Sequence, residues 1–87
     1  MKDSKDYTIL SKLKRSNMRI DILKLLIEPK TPVELAKLLK KHRGGVSRAL
    51  LDMANDGLVE CLNPKDPNYR FYKTTEKGKK ILEDIKK

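Results

Sequence analysis

The chain has 87 residues, 38% hydrophobic and 38% charged, which suits one small core and leaves too little length for two lobes around a substrate cleft. Lys and Arg number 21 against 12 Asp and Glu, a formal charge of +9 that favours a polyanionic partner, either nucleic acid or an anionic membrane surface. The longest apolar run, Ile22 to Ile27, is broken by Lys24 and falls far short of the roughly 20 residues that span a bilayer.

Residues Ser4 to Lys14 place Tyr7, Leu10 and Leu13, with Ile9 beside them, at helical spacing over a Lys-bearing face, which predicts an amphipathic first helix. Ser16 or Asn17 offers an N-cap to a second, where Met18, Ile22, Leu25 and Leu26 recur every 3.6 residues until Pro29 ends it. In Thr31-Pro32-Val33-Glu34 a Thr cap, Pro in the first turn and Glu three positions on can satisfy orphan amides reciprocally, so a third helix runs to about Leu39 and buries Leu35, Ala36 and Leu39. After a break at Lys40 to Arg43, a fourth is expected from about Gly44 to Asn55. Val46, Ala49, Leu50 and Met53 form its stripe, and Asp56-Gly57 its stop.

The period then changes toward two. Leu58 to Leu62 and Tyr69 to Thr74 read as strands joined by the polar, Pro-stiffened segment Asn63 to Asn68. Thr75 caps a last helix over 75–86 that carries Ile81, Leu82 and Ile85, with Gly78 a small cost near its start. The expected fold is mostly α with a small β-hairpin, in the order α-α-α-α-β-β-α, as one domain over 1–87.

Two short helices joined by a tight turn have helix-turn-helix geometry, in which the second helix lies in the major groove of DNA. Charge placement agrees. From Leu35 through Leu51 there are Lys37, Lys40, Lys41, Arg43 and Arg48, with His42 and no Asp or Glu. If the apolar stripe faces inward, Arg43, Gly44, Ser47 and Arg48 project from the first turns of the fourth helix and are the candidate base readers. Arg suits the guanine O6 and N7 acceptors. Thr31, Lys37, Lys40, Lys41, His42 and Gly45 are candidates for the DNA backbone, because the Gly44-Gly45 pair costs helix stability and admits close approach. At the hairpin tip Lys65 and Asn68, with Arg70 on the returning strand, can press on phosphates or a minor groove, while Asp66 moderates the charge there.

Other residues have plainer readings. Cys61, the only cysteine, excludes an internal disulfide or a CxxC metal pair and is expected to act as a small hydrophobe. Tyr69, Phe71 and Tyr72 divide between wing packing and core, and Lys77, Lys79, Lys80, Lys86 and Lys87 make a solvated helix face. No nucleophile stands with a base and no GxxxxGK[ST] loop occurs, so neither an enzyme nor a cofactor is expected.

The stretch Asn17 to Lys80 resembles winged helix-turn-helix transcription regulators of the MarR and ArsR type. The matching pieces are Ile20-Asp21-Ile22-Leu23-Lys24-Leu25-Leu26, Thr31-Pro32-Val33-Glu34-Leu35-Ala36, Val46-Ser47-Arg48-Ala49-Leu50, Asp56-Gly57-Leu58-Val59, Tyr69-Arg70-Phe71-Tyr72 and Thr75-Glu76-Lys77-Gly78. The resemblance implies a cytoplasmic homodimer that sets two recognition helices in successive major grooves of double-stranded DNA, with wings at 63–70 over the flanking minor grooves. Dimerisation would then fall to Tyr7, Leu10 and Leu13 of helix 4–14 and to Ile81, Leu82 and Ile85 of helix 75–86, although both sets can equally close the monomer's core. The chain departs from ArsR-like sensors in having one Cys and one His, in different elements, so no metal is expected. It is also shorter than MarR-like proteins that shelter a small-molecule effector. Two other readings remain: a winged-helix protein-interaction module with Leu51 as an exposed contact, and a sequence-indifferent, chromatin-like binder.

Overall fold

A computed structural model describes residues 4 to 86, and the side chains of residues 8 to 85. Its elements are α1 (Ser4–Lys14), α2 (Asn17–Leu25), α3 (Pro32–Leu39), α4 (Arg43–Asn55), β1 (Val59–Cys61), β2 (Tyr72–Thr74) and α5 (Glu76–Lys86), in the expected order. The caps agree in detail. Ser16 accepts from the Arg19 amide at 3.3 Å, and the Thr31–Glu34 capping box closes in both directions. Thr75 accepts from the Gly78 amide at 3.1 Å.

One apolar cluster joins every element: Ile9 and Leu13 from α1, Ile22, Leu23 and Leu26 from α2 and its end, Leu35 from α3, and Val46, Ala49, Leu50 and Met53 from α4. Leu58, Val59 and Tyr72 enter from the hairpin, and Ile81 and Leu82 from α5. Among the six candidate dimerisation residues, Leu13, Ile81 and Leu82 are thus buried in the chain's own core, whereas Leu10 and Ile85 are half-buried against it. Those three therefore contribute to packing within one chain. The side chain of Tyr7 lies outside the described residues.

The helix expected to reach Pro29 stops at Leu25, because Thr74 draws its end into the hairpin. The Thr74 hydroxyl donates to the Leu23 carbonyl at 2.8 Å and its amide to the Leu26 carbonyl at 2.9 Å, which satisfies two acceptors that the helix end orphans. Lys30 and Tyr72 then exchange two backbone hydrogen bonds, so an extended residue between α2 and α3 borders the two-stranded antiparallel sheet.

Both strands are shorter than the spacing predicts. Beyond Cys61 and Tyr72 the ladder adds only the bond from the Leu62 amide to the Phe71 carbonyl, at 2.8 Å. Gly78 also departs from its reading as a small cost. A Cβ there would stand 2.3 Å from the Leu58 carbonyl oxygen and 2.7 Å from a Thr74 methyl, so α5 passes the Leu58 backbone and the end of β2 at a distance that only glycine permits.

Candidate nucleic-acid interface

The turn between α3 and α4 is a Schellman motif. The Lys41 amide donates to the Ala36 carbonyl at 3.0 Å and the Lys40 amide to that of Lys37 at 3.3 Å, with Lys40 left-handed at φ 56°. His42, at the N-cap of α4, is extended and makes no side-chain cap bond, and no acidic residue stands in the first turn. Helix α4 therefore begins one residue before the predicted Gly44, and its first amides point into solvent without a partner side chain. Gly44 and Gly45 are exposed, neither has positive φ, and nothing lies within 4 Å of a Cβ built on either.

With about 100° per residue, α4 divides into sectors. Val46, Ala49, Leu50 and Met53 are buried. Gly44, Arg48, Leu51 and Asn55 lie opposite them and are all exposed, Leu51 to 64%. Arg43 and Ser47 occupy the edge toward the N-terminus of α3. There they line a groove of about 1070 Å³ with Pro32 and Val33 on one side and Pro67, Asn68, Tyr69, Arg70 and Phe71 of the wing on the other. A second hollow, of about 420 Å³, is lined by Val33, Ala36, Lys37, Lys40, Lys41, His42 and Arg43, so four of the predicted cations and His42 converge at the turn.

The structure thus gathers Arg43, Ser47, Asn68 and Arg70 at one groove and Lys37, Lys40, Lys41, His42 and Arg43 at the hollow beside it. Gly44, Gly45 and Arg48 sit on the open face of α4, and Lys65 lines neither concavity. Thr31, a candidate backbone contact, also borders the groove. It is only 9% exposed; its hydroxyl accepts from the Glu34 amide and donates to the Glu34 carboxylate, both at 3.2 Å, so the cap occupies its one donor.

The wing is built by two side chains read too simply from the sequence. Asn63 accepts from the Phe71 amide at 2.7 Å and donates to the Tyr69 carbonyl at 2.6 Å, which continues the ladder through a side chain. Asp66 accepts from the amides of Asn68 and Tyr69 at 2.8 and 2.9 Å, bonds that hold its carboxyl below the usual carboxylate range. Its role is to shape the tip, in addition to any moderation of charge, and its carbonyl accepts from Nε of Arg70 at 3.1 Å. The aromatic residues divide as expected, Tyr72 buried and Tyr69 and Phe71 exposed. Asn63 was recognisable as a turn former that bonds its own neighbourhood, whereas Val33, which faces both concavities, carries no local signal.

The acids at the C-terminal half of α4 and at its C-cap are engaged by cations of other helices. Asp52 pairs with Arg19 of α2, and that hydrogen bond holds the Asp52 carboxyl below its ordinary range; Asp56 lies 3.8 Å from Lys12 of α1. No group of three or more His, Cys, Asp or Glu stands together as a metal site among the described residues. No helix there is long and apolar enough to cross a membrane.

This architecture is a winged helix-turn-helix, with α3 and α4 as the helix pair and β1–β2 as the wing. No protein-family model and no curated protein matches the sequence. Its structural neighbours are MarR-family winged-helix regulators rather than enzymes. A mutant of Escherichia coli MarR in complex with operator DNA is 32% identical over 94% of this chain, with a TM-score of 0.72. The adhesin competence repressor AdcR of Streptococcus pyogenes is 24% identical over 92%, with a TM-score of 0.73, and Lactococcus lactis ZitR in complex with DNA is 22% identical over 82%, with a TM-score of 0.69. The chain spans 61%, 64% and 50% of those three structures respectively.

Proposed function

We propose that the chain is a sequence-specific double-stranded DNA-binding transcription regulator, one winged-helix unit over 1–87 that places α4 in a major groove and the wing over the flanking backbone or minor groove. One observation carries this reading: the α3–α4 turn violates local backbone preference twice in opposite senses. Lysine occupies the left-handed position where glycine is favoured, and glycines occupy helical positions where almost any other residue is favoured. No neighbour among the described residues excludes a side chain at Gly44 or Gly45, and Lys40 is exposed. A polyanion requires both, a cation at the turn and close approach of backbone amides at the helix start. Such local departures mark functional surfaces.

In this reading Lys37, Lys40, Lys41, His42, Gly45 and Lys65 hold phosphates and set the register, and Arg43, Gly44, Ser47 and Arg48 meet base edges. Asn68 and Arg70 act from the wing. The MarR neighbour bound to operator DNA supports a DNA-binding reading of the fold. A homodimer on a near-palindromic site is part of the proposal, with Leu10 and Ile85 as the candidate residues that retain surface, and neither a metal nor a small-molecule effector is required.

The test is fluorescence anisotropy on a duplex enriched from a randomised pool against a scrambled duplex, at several salt concentrations. Specific regulators prefer their site by roughly 10³-fold or more near physiological salt. Arg48→Ala is expected to lower that preference, whereas Lys41→Ala weakens both duplexes alike and reduces the salt slope by about one. Equal, salt-erased binding to both duplexes by the wild-type chain would overturn the reading.

A further inference from the structure

Arg48 and Asp52 stand four residues apart on α4, separated by about 40° around the helix axis, the spacing at which an Arg and a carboxylate pair along a helix surface. They do not pair. Asp52 is held instead by Nη1 of Arg19, which reaches across from α2, while Arg48 is exposed and makes no hydrogen bond or ion pair among the described residues. Arg19 is only a quarter exposed at its side chain and Asp52 about a third, so the pair bridges α2 and α4 at a partly covered site.

We infer that Arg19 is a positioning residue for DNA reading: by holding Asp52 against α2, it keeps the carboxylate from capturing the Arg48 guanidinium and leaves that group free for a base edge. This rests on the DNA-reading role proposed for Arg48. The physical reason is competition for one acceptor. A carboxylate released from Arg19 has Arg48 one turn back on its own helix, and a guanidinium bound bidentately to a carboxylate has lost the fork that guanine O6 and N7 require. The same capture would set a negative charge on the surface meant for phosphates. Lys12, 3.8 Å from Asp56, holds the next α4 acid at the C-cap toward α1.

The decisive measurement is the ratio of affinities for the enriched and scrambled duplexes, since a general change of charge affects both alike. Arg19→Met is expected to lower the ratio by about tenfold, the scale of one lost Arg–guanine contact. Arg19→Lys, which keeps a cation on Asp52, preserves the ratio. Arg19→Met combined with Asp52→Asn restores it to within about twofold, although both variants melt below the wild type, so loss of stability does not account for the defect. In an Arg48→Ala background Arg19→Met has no further effect on the ratio. A ratio unchanged by Arg19→Met, or still low after Asp52→Asn is added, overturns the positioning role alone. A ratio unchanged by Arg48→Ala overturns the DNA-reading role beneath it.

Discussion

Helices α3 and α4 end in the same hydrogen-bonded turn with different residues in its left-handed position. In α3 the 6→1 bond runs from the Lys41 amide to the Ala36 carbonyl and the residue is Lys40; in α4 it runs from Leu58 to Met53 and the residue is Gly57, at φ 79°. At the second turn Lys77 stands 3.7 Å from a Cβ built at Gly57, and the turn uses the residue the backbone prefers. The first lies on the open basic surface, where a less favourable residue brings charge. Their starts differ in the same way. Thr31, Pro32 and Glu34 close the N-terminus of α3, and nothing closes that of α4. The contrast separates glycines and caps that serve folding from departures that serve binding.

Four substitutions and one titration test that contrast. Gly78→Ala puts a Cβ against the Leu58 carbonyl and is expected to cost at least 1–3 kcal/mol, a fall in Tm of roughly 4–8 °C per kcal/mol in a thermal melt. Alanine at Gly44 or Gly45 meets open space in a helical conformation and should have the opposite sign, raising stability by about 0.5–1 kcal/mol each while weakening DNA binding in the anisotropy titration. Should either alanine destabilise the fold or leave DNA affinity intact, the separation fails at that site. Lys40→Gly relieves the left-handed strain, worth about 1 kcal/mol by denaturant unfolding, and lowers the salt slope of DNA binding by about one.

The smallest effect is in acid. Because Arg19 lowers the Asp52 carboxyl in the folded chain, its contribution is intact above the unfolded value and fades as pH falls below about 4 through the folded value. Asp52→Asn should therefore lower stability near neutrality and converge on the wild type as pH falls through that window, flattening the profile there. A parallel displacement at all pH values would assign the residue a packing role instead.

Much of the fold was legible locally. The four-residue box at Thr31, the Asp56-Gly57 stop and the apolar stripe of α4 each specify their element with side chains and backbone within one or two turns. At Thr31 the sequence disclosed the cap, whose bond to Glu34 occupies the one hydroxyl donor. Gly78 was misread because the atoms that demand glycine, from Leu58 and Thr74, come from other elements. The strands were overextended because alternation in sequence does not disclose that Asn63 will replace backbone partners in the ladder.

For the candidate interface, the sequence determined the inventory: the run of cations without acids from Leu35 to Leu51, the glycine pair and the polar wing tip. These follow from composition and period, which short-range physics reads directly. Tertiary structure alone decided the arrangement, with Arg43 and Ser47 facing the wing, Leu13, Ile81 and Leu82 turned into the core, and Asp52 drawn off by Arg19. The reason is the range of the forces involved. Caps and periodicity act over one helical turn, whereas the partner of a charge 33 positions away is chosen only when packing of the apolar faces brings α2 and α4 together.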